Sequence, residues 1–247
     1  ERTARRKEKK KIGAAGGSQS WDYDAGTHTY KVYTVTYGDE ELVGTEGQTT
    51  FTLSTGDTVT ITPTLKGLNG VKNVSDSGAN SFTWTVTNDG SYTKGTDTVG
   101  TLTINQVELT ISMADRTLPY SGSEQYGWTR TDEGKETVTG LVNNETVTIT
   151  YTASKGTTVG TYDNGEYDTD TLVIKDGDAD VTENYNLTEA TAGKLTIEKD
   201  EKELKVESAS QSWDYDAGTH TYKVYPVTYG DEELGGSEGQ TSVTKCT

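Results

Sequence analysis

The amino-acid sequence predicts a mainly β protein made of tandem small modules, arranged as beads on a string. Apolar residues alternate with threonine, as in DTVTITPTL at 57–65, and a period of two is typical of half-buried strands. Turn-forming Gly, Asn and Asp separate these alternating segments. Finally, the segment from Ser18 to Leu42 returns from Ser210 to Leu234 with a single exchange. A long repeat in a strand-rich chain indicates stacked or serial modules rather than one large domain.

The repeats define the predicted module boundaries. GTLTIN at 100–105 and GKLTIE at 193–198 look like the same closing strand. Each is followed by a new apolar alternation that leads to a cluster rich in Tyr and Gly. We therefore predict module A at 18–106, module B at 107–198, and a truncated second copy of module A at 199–247.

The exchange of Thr34 for Pro226 between the two copies makes a structural prediction. Proline has no backbone N–H and is tolerated in sheets only at edges, strand starts or bulges. If both copies fold alike, the N–H of Thr34 should not take part in a ladder hydrogen bond. We therefore expect the segment Tyr30 to Tyr37 to form an edge strand or to contain a break.

The two ends of the chain differ from the repeat pattern. Residues 1–17 are basic and lack alternation, whereas EKELKVESA at 201–209 precedes the second copy of module A. We expect 1–17 to be a disordered or non-native tail. TSVTKCT, which begins at Thr241, similarly replaces the expected strand TTFTLST, and we interpret both ends as artefacts of a gene fragment or frameshift.

Composition and charge exclude several classes of function. The formal net charge is −17, and 37 of the 39 acidic residues lie after the basic N-terminal segment 1–11, so neither nucleic acid nor anionic membrane is an expected partner. No apolar run approaches the roughly 18 residues of a membrane-spanning helix. The single Cys246 and the two histidines, His28 and His220, provide neither a disulfide framework nor a Cys- or His-based metal site.

Module B resembles a known family of bacterial repeats. It contains Tyr120-Ser121-Gly122, then ETVTITYTASKGTTVGTY, DVTENYNL and AGKLTIEK. These motifs resemble the MBG and YDG-type repeats of Gram-positive surface proteins, although Ser121 replaces Asp in the opening. Module A keeps the GTLTI close but lacks the DVTxNY segment. The resemblance implies immunoglobulin-like or β-grasp-like modules in an extracellular, adhesin-like protein associated with the cell wall.

Three functions follow as expectations, and none is an enzyme activity of this chain. The first is a structural spacer or stalk, whose partners are the neighbouring modules of the same chain. The second is an adhesin module that binds host glycan, mucin or protein. The third is an accessory region of a carbohydrate-active enzyme. Covalent Lys–Asn or Lys–Asp cross-links stay open, because no motif identifies a pair.

Two sets of residues are candidates for binding. Asp176, Asp178 and Asp180 have the i, i+2, i+4 spacing of carboxylates around Ca²⁺, but the glycine and glutamate positions of an EF-hand loop are absent. The alternative interpretation of this segment is a solvated acidic loop that binds no metal. Calcium is the one cofactor that the sequence suggests. Exposed aromatic rings can stack on sugars, or they can anchor the core. The aromatic candidates are Trp21, Tyr23, Tyr30, Tyr126 and Trp128.

Overall fold

A computed structural model describes residues 10–244, and within them the chain is mainly β, which confirms the predicted class. One short helix, α1 (Leu65–Asn69), follows a strand that ends at Pro63, where the sequence analysis had extended the alternation to Leu65. Three single 3-10 turns lie at Val74–Asp76, Asp89–Ser91 and Thr182–Asn184. The last follows the acidic segment that contains Asp176, Asp178 and Asp180.

Ten strands precede the predicted boundary at residue 106. They are β1 (Lys11–Gly16), β2 (Gln19–Asp22), β3 (Tyr33–Tyr37), β4 (Glu40–Val43), β5 (Thr50–Thr52), β6 (Thr58–Pro63), β7 (Gly78–Asn80), β8 (Phe82–Val86), β9 (Thr93–Lys94) and β10 (Gly100–Asn105). They form three sheets with the orders β4-β3-β1-β9, β5-β6-β8 and β2-β10-β7. All neighbours pair antiparallel except β1 with β9 and β2 with β10.

One core joins two of these sheets. Strand β6 buries Val59 and Ile61, while its threonines at 60 and 62 are exposed, as the period of two predicts. The sheets β4-β3-β1-β9 and β5-β6-β8 contribute to the same cluster of buried side chains. Its members are Ile12, Ala14, Tyr33, Val35, Phe51, Leu53, Val59, Ile61, Trp84 and Val86. Burial of these apolar side chains is the main source of stability for this part of the chain.

The segment assigned to a basic tail contains a strand. Residues 1–9 lie outside the described residues, but Lys11–Gly16 forms β1, in the interior of its sheet. Ile12 is fully buried and Ala14 is 3% exposed. The sequence signal was weak because small Ala and Gly residues replace the longer side chains of the second copy. The alternation survives only as Ile12 and Ala14.

The prediction of an edge strand around Thr34 is wrong. Strand β3 has β4 on one side and β1 on the other. The N–H of Gly17 donates to Val32 and that of Gly38 donates to Lys11, so by alternation Ala15 and Thr34 are a hydrogen-bonded pair.

In the second copy, Pro226 accepts from Glu207 at 3.0 Å but has no N–H to return. The exchange therefore removes one ladder hydrogen bond, and the strand that follows begins only at Val227.

The remaining strands continue the chain to residue 235. They are β11 (Val107–Met113), β12 (Arg116–Pro119), β13 (Gln125–Tyr126), β14 (Glu136–Thr139), β15 (Thr146–Thr152), β16 (Lys155–Gly156), β17 (Gly160–Tyr162), β18 (Glu166–Asp176), β19 (Ala179–Asp180), β20 (Tyr185–Thr191), β21 (Leu195–Glu198), β22 (Leu204–Val206), β23 (Val227–Tyr229) and β24 (Glu232–Gly235). Their sheets have the orders β14-β11-β20, β12-β21-β17, β13-β16, β15-β18-β19 and β22-β23-β24.

The two closing strands identified in the sequence have matching surroundings. Strand β10 pairs parallel with β2 and antiparallel with β7, and β21 pairs parallel with β12 and antiparallel with β17. A Cβ atom at Gly100 would lie 2.2 Å from the carbonyl oxygen of Gly17, and one at Gly193 would lie 2.2 Å from that of Ala114. Both glycines are required because another backbone crosses closely there.

The chain divides into two compact units whose bounds differ from those of the predicted modules. The first unit contains the described residues to Ile111 with Val138–Thr150 and Asp168–Ala190. The second contains Ser112–Thr137 and Tyr151–Tyr167 with the described residues from Thr191. The labels module A and module B are kept below for the sequence ranges 18–106 and 107–198.

Candidate functional site

A buried carboxylate lies in the first unit between two tyrosines. Glu145 immediately precedes β15 and is 6% exposed, although glutamate is seldom buried without a partner. The hydroxyl of Tyr23, which follows β2, donates to Glu145 Oε1 at 2.7 Å. The hydroxyl of Tyr185, the first residue of β20, donates to Glu145 Oε2. We call these three residues the A–B joint, because Tyr23 belongs to module A and the other two belong to module B.

The joint is packed as well as hydrogen-bonded. The rings of Tyr23 and Tyr185 meet edge to face, with centroids 5.7 Å apart and planes at 77°. The backbone N–H of Val142 donates to the Tyr185 hydroxyl at 2.9 Å, so this oxygen both accepts and donates. Burial, followed by the hydrogen bond to Glu145, raises the pKa of both tyrosines above the usual value. Both hydroxyls therefore stay protonated and keep donating at neutral pH.

Polar side chains also connect the backbones of the two modules around the joint. Asn184 is 2% exposed, and its Oδ1 accepts from the N–H of Val74 at 2.8 Å. Its Nδ2 donates to Asn73 Oδ1 at 3.0 Å. From module A, Gln106 Nε2 donates to the carbonyl oxygens of Glu183 at 3.0 Å and Tyr185 at 3.2 Å. These contacts satisfy buried polar groups that would otherwise destabilise the packing.

Some of the residues of this site were already distinguished in the sequence analysis. Tyr23 was singled out as an aromatic candidate, and its 2% exposure leaves no ring face for a sugar. Asn184 and Tyr185 lie in the DVTENYNL motif that carries the family resemblance. Glu145 was missed because it is one of many acidic residues, and only its position before an alternating strand distinguishes it. Ligand binding by the other aromatic candidates stays a prediction, and the structure bears only on their accessibility.

Trp21 does not present both ring faces to solvent. The ring of His28 stacks on it, with centroids 5.0 Å apart and planes at 17°. His28 Nε2 lies 2.9 Å from Asp24 Oδ1, and the Gly26 N–H donates to the same oxygen at 2.7 Å. The hydrogen bond with His28 and the one from Gly26 lower the pKa of Asp24. The second copy repeats this arrangement, with His220 stacked on Trp213 at 5.1 Å.

The aromatic candidates of module B lie apart from Trp21 in the sequence and have their own partners. Trp128 carries two cations on its ring, with Arg116 at 4.3 Å and Lys135 at 4.4 Å from the centroid. Tyr126 is 49% exposed, and its hydroxyl donates to Glu124. Of the module B candidates, Tyr126 therefore has the more accessible ring.

Tyr30 of module A is half-buried. A Cβ atom added at Gly17 would lie 2.6 Å from its ring, so the ring packs closely against this glycine. The Tyr30 carbonyl oxygen accepts from the buried Asn80 side chain at 2.9 Å. Tyr30 thus acts as a packing residue beside a close backbone crossing.

The three aspartates with calcium-like spacing form a hairpin instead. Strands β18 and β19 pair Lys175 with Asp180 and Asp176 with Ala179. Because side chains alternate along a strand, Asp176 and Asp180 point to opposite faces. Asp176 lies 3.6 Å from Lys72, and Asp180 accepts from Thr182. Across residues 10–244, no group of three or more Asp, Glu, His or Cys side chains is placed to hold a metal.

A cavity of about 930 Å³ in the second unit is lined mainly by the second copy of module A, together with Tyr120, Ser121, Gly122 and Val159. Leu204 and Tyr225 in its wall are 63% and 44% exposed, whereas their repeat equivalents Ile12 and Tyr33 are fully buried. In the first copy, the sheet β5-β6-β8 covers these positions. The cavity is therefore one uncovered face of a module core and does not have the character of a ligand site.

Comparison with known proteins gives no identification. No protein-family model matches the chain, and neither do the curated proteins nor the solved structures with which it was compared. Within residues 10–244, no helix has the length and apolar character that a membrane span requires.

Proposed function

We propose that this chain is a non-enzymatic structural segment of an extracellular repeat protein. Its small β modules act as a spacer, and they are held in fixed register by polar joints. The A–B joint is the observation that supports this proposal. A buried carboxylate held by tyrosines from two sequence modules resists their separation, because separation would break the Tyr23–Glu145 hydrogen bond and the Tyr23–Tyr185 ring contact. The resemblance of module B to MBG and YDG-type surface repeats supports the extracellular, wall-associated setting.

The mechanism is geometric. Each module needs only its neighbours, so the length of the array grows with the number of repeats. The threonine faces and the net charge of −17 keep such an array soluble and discourage pairing between exposed strand edges. A chain with polar joints is stiffer than free beads on a string, which is useful where a surface protein must project away from its anchor.

A distance measurement across the joint tests the proposal. Spin labels at Thr83→Cys in β8 and Thr148→Cys in β15, in a chain with Cys246→Ser, report on the separation of exposed positions in the two modules. We expect a narrow distance distribution that broadens in Glu145→Ala. Tyr126→Phe, which removes a hydroxyl far from the labelled strands in sequence, should leave it narrow. A distribution that is already broad in the parent chain would reject a fixed register.

The adhesin alternative has one supporting observation, the exposed ring of Tyr126. Binding of the full chain to immobilised mucin and a broad glycan panel, with and without calcium, would test it. Variants Tyr126→Ala and Trp21→Ala would be measured alongside. Saturable binding that is lost in one folded variant would favour adhesion, and no binding under any condition would favour the spacer.

A further inference from the structure

Module A contains a tyrosine–carboxylate pair that resembles the one formed by Tyr185 and Glu145. Asp57 precedes the strand segment Thr-Val-Thr-Ile, as Glu145 does in module B. The Tyr92 hydroxyl donates to Asp57 Oδ2, as the Tyr185 hydroxyl donates to Glu145. Tyr92 and Tyr185 are separated by the same 93 positions as Gly100 and Gly193 of the closing strands. The two pairs are therefore equivalent positions of two related modules.

The tyrosine that module A contributes to the A–B joint, Tyr23, also has an equivalent in module B, Tyr120. Tyr23 follows β2, and its N–H donates to Asn105 at 3.0 Å; Tyr120 follows β12, and its N–H donates to Glu198 at 2.8 Å. Tyr23 is 2% exposed because it reaches Glu145, whereas Tyr120 is 42% exposed. Module B thus presents the same tyrosine that module A uses in the A–B joint, and among residues 10–244 the one buried acidic side chain is Glu145, which is held by Tyr23 and Tyr185.

We propose that Asp57 and Tyr92 form the receiving half of a B–A joint, whose occupant is the Tyr120 end of a B module that stands before an A module. This order occurs in the chain, since 107–198 precedes the second copy of module A. The inference rests on the proposed spacer function and extends it. Every module would carry a donor tyrosine beside its closing strand. It would also carry, before an internal strand, a carboxylate that a second tyrosine holds.

The surroundings of Asp57 suit this occupant. Its Oδ1 accepts from Thr87 at 3.0 Å and Asn88 at 2.6 Å, and its Oδ2 accepts from Tyr92. A carboxylate offers about four acceptor positions, and the Thr55 side chain is also within reach of Asp57. The Tyr120 hydroxyl would therefore take the place of the Thr55 hydroxyl, which keeps the Tyr92 hydroxyl at 2.6 Å as its other partner. Asp57 is partly exposed, which leaves it accessible to an incoming side chain.

The second unit places Tyr120 beside the matching part of the second A copy. Tyr120 and Tyr229 line the same cavity, and Tyr229 is the repeat equivalent of Tyr37. In the first copy, the rings of Tyr37 and Tyr92 meet edge to face at 5.5 Å and 77°. A Tyr92 equivalent that packed on Tyr229 would therefore enter the cavity that Tyr120 also lines.

A double-mutant cycle in an extended chain tests the proposal. The full chain is continued after Thr244 with a copy of residues 53–106, which supplies the second A copy with its own Asp57 and Tyr92. Tyr120→Phe and Asp57→Asn in that added copy are measured singly and together by amide hydrogen exchange at 120–122. We expect the combined loss of protection to differ from the product of the single losses by about five-fold or more.

The control pairs Tyr126→Phe with the same Asp57→Asn and should show no coupling. Independent effects of Tyr120 and the added Asp57 would overturn the proposal. The cycle of Tyr23 with Glu145 in the same chain reports on the proposed function separately. Coupling there without coupling at Tyr120 would refute the B–A joint alone, whereas its absence would refute the polar joint itself.

If the added segment does not fold, the pair is tested between two full chains that carry Cys246→Ser. One chain carries Ser121→Cys and the other carries Ser91→Cys, so that Tyr120, Asp57, Tyr92 and Asn88 all remain in place. We expect their disulfide to form faster than that of a Tyr126→Cys chain with the same partner. Equal rates would count against the proposal.

Discussion

Replacing Tyr23 with phenylalanine isolates the hydrogen bond of the A–B joint from its packing. The aromatic ring and its edge-to-face contact with Tyr185 remain, while the 2.7 Å bond to Glu145 Oε1 is lost. A buried hydrogen bond to a charged group contributes about 1.5–3 kcal/mol, and here the carboxylate keeps only one tyrosine donor. We therefore expect Tyr23→Phe to lower the free energy of unfolding by about 1.5–3 kcal/mol.

The measurement is urea denaturation followed by tryptophan fluorescence, with the midpoint and slope compared between variants. Tyr126→Phe is the matched control, because it removes a tyrosine hydroxyl that also donates to a carboxylate, that of Glu124, but on an exposed ring. We expect no measurable change in this control. If the two variants unfold alike, the reasoning that burial makes the Tyr23 bond strong is refuted.

Three further predictions follow from burial. The pKa values of the two tyrosines that hold Glu145 are raised in the folded state. The stability that they contribute is therefore fully present below about pH 10 and is lost as the pH rises further. Urea midpoints that do not change as the pH rises above about 10 would contradict this prediction. Gly100→Ala should lower the free energy of unfolding by about 1–3 kcal/mol, because its Cβ atom would lie 2.2 Å from a carbonyl oxygen. Gly90→Ala is the control and should be neutral, because its Cβ atom would meet nothing within 4 Å. Equal thermal midpoints for the two variants would argue against the close approach at Gly100. Ile12→Ala should lower the free energy of unfolding by about 2–5 kcal/mol, because Ile12 is fully buried. Leu204→Ala, at the exposed repeat equivalent, should lower it much less. Similar losses in the two variants would place Ile12 outside the core.

The strands could be predicted because their signal is local. Alternation of Val59 and Ile61 with threonine needs only the two-residue period of a strand, and the structure buries the apolar face as expected. The pairing of β3 could not be predicted in the same way. Pro226 was interpreted as evidence for an edge, yet a single missing N–H is tolerated where a strand begins beside it. Strand position in a sheet depends on distant partners that local sequence does not specify.

The A–B joint lay mostly beyond sequence reasoning for a similar reason. Tyr23 and Glu145 are 122 positions apart, and nothing in either local pattern links them. Composition also misdirected attention towards the dense acidic segment around Asp178, which is a hairpin turn. What distinguishes Glu145 is burial, and burial of one carboxylate among 39 acidic residues follows only from the tertiary fold.

The proline at position 226 has a mechanical consequence. The second copy has one hydrogen bond fewer between Glu207 and Pro226 than the first copy has between Ala15 and Thr34. When a serial array is pulled from its ends, the element with the weakest strand pairing yields first. A single-residue exchange between two repeats would therefore set the order in which a stretched chain lengthens.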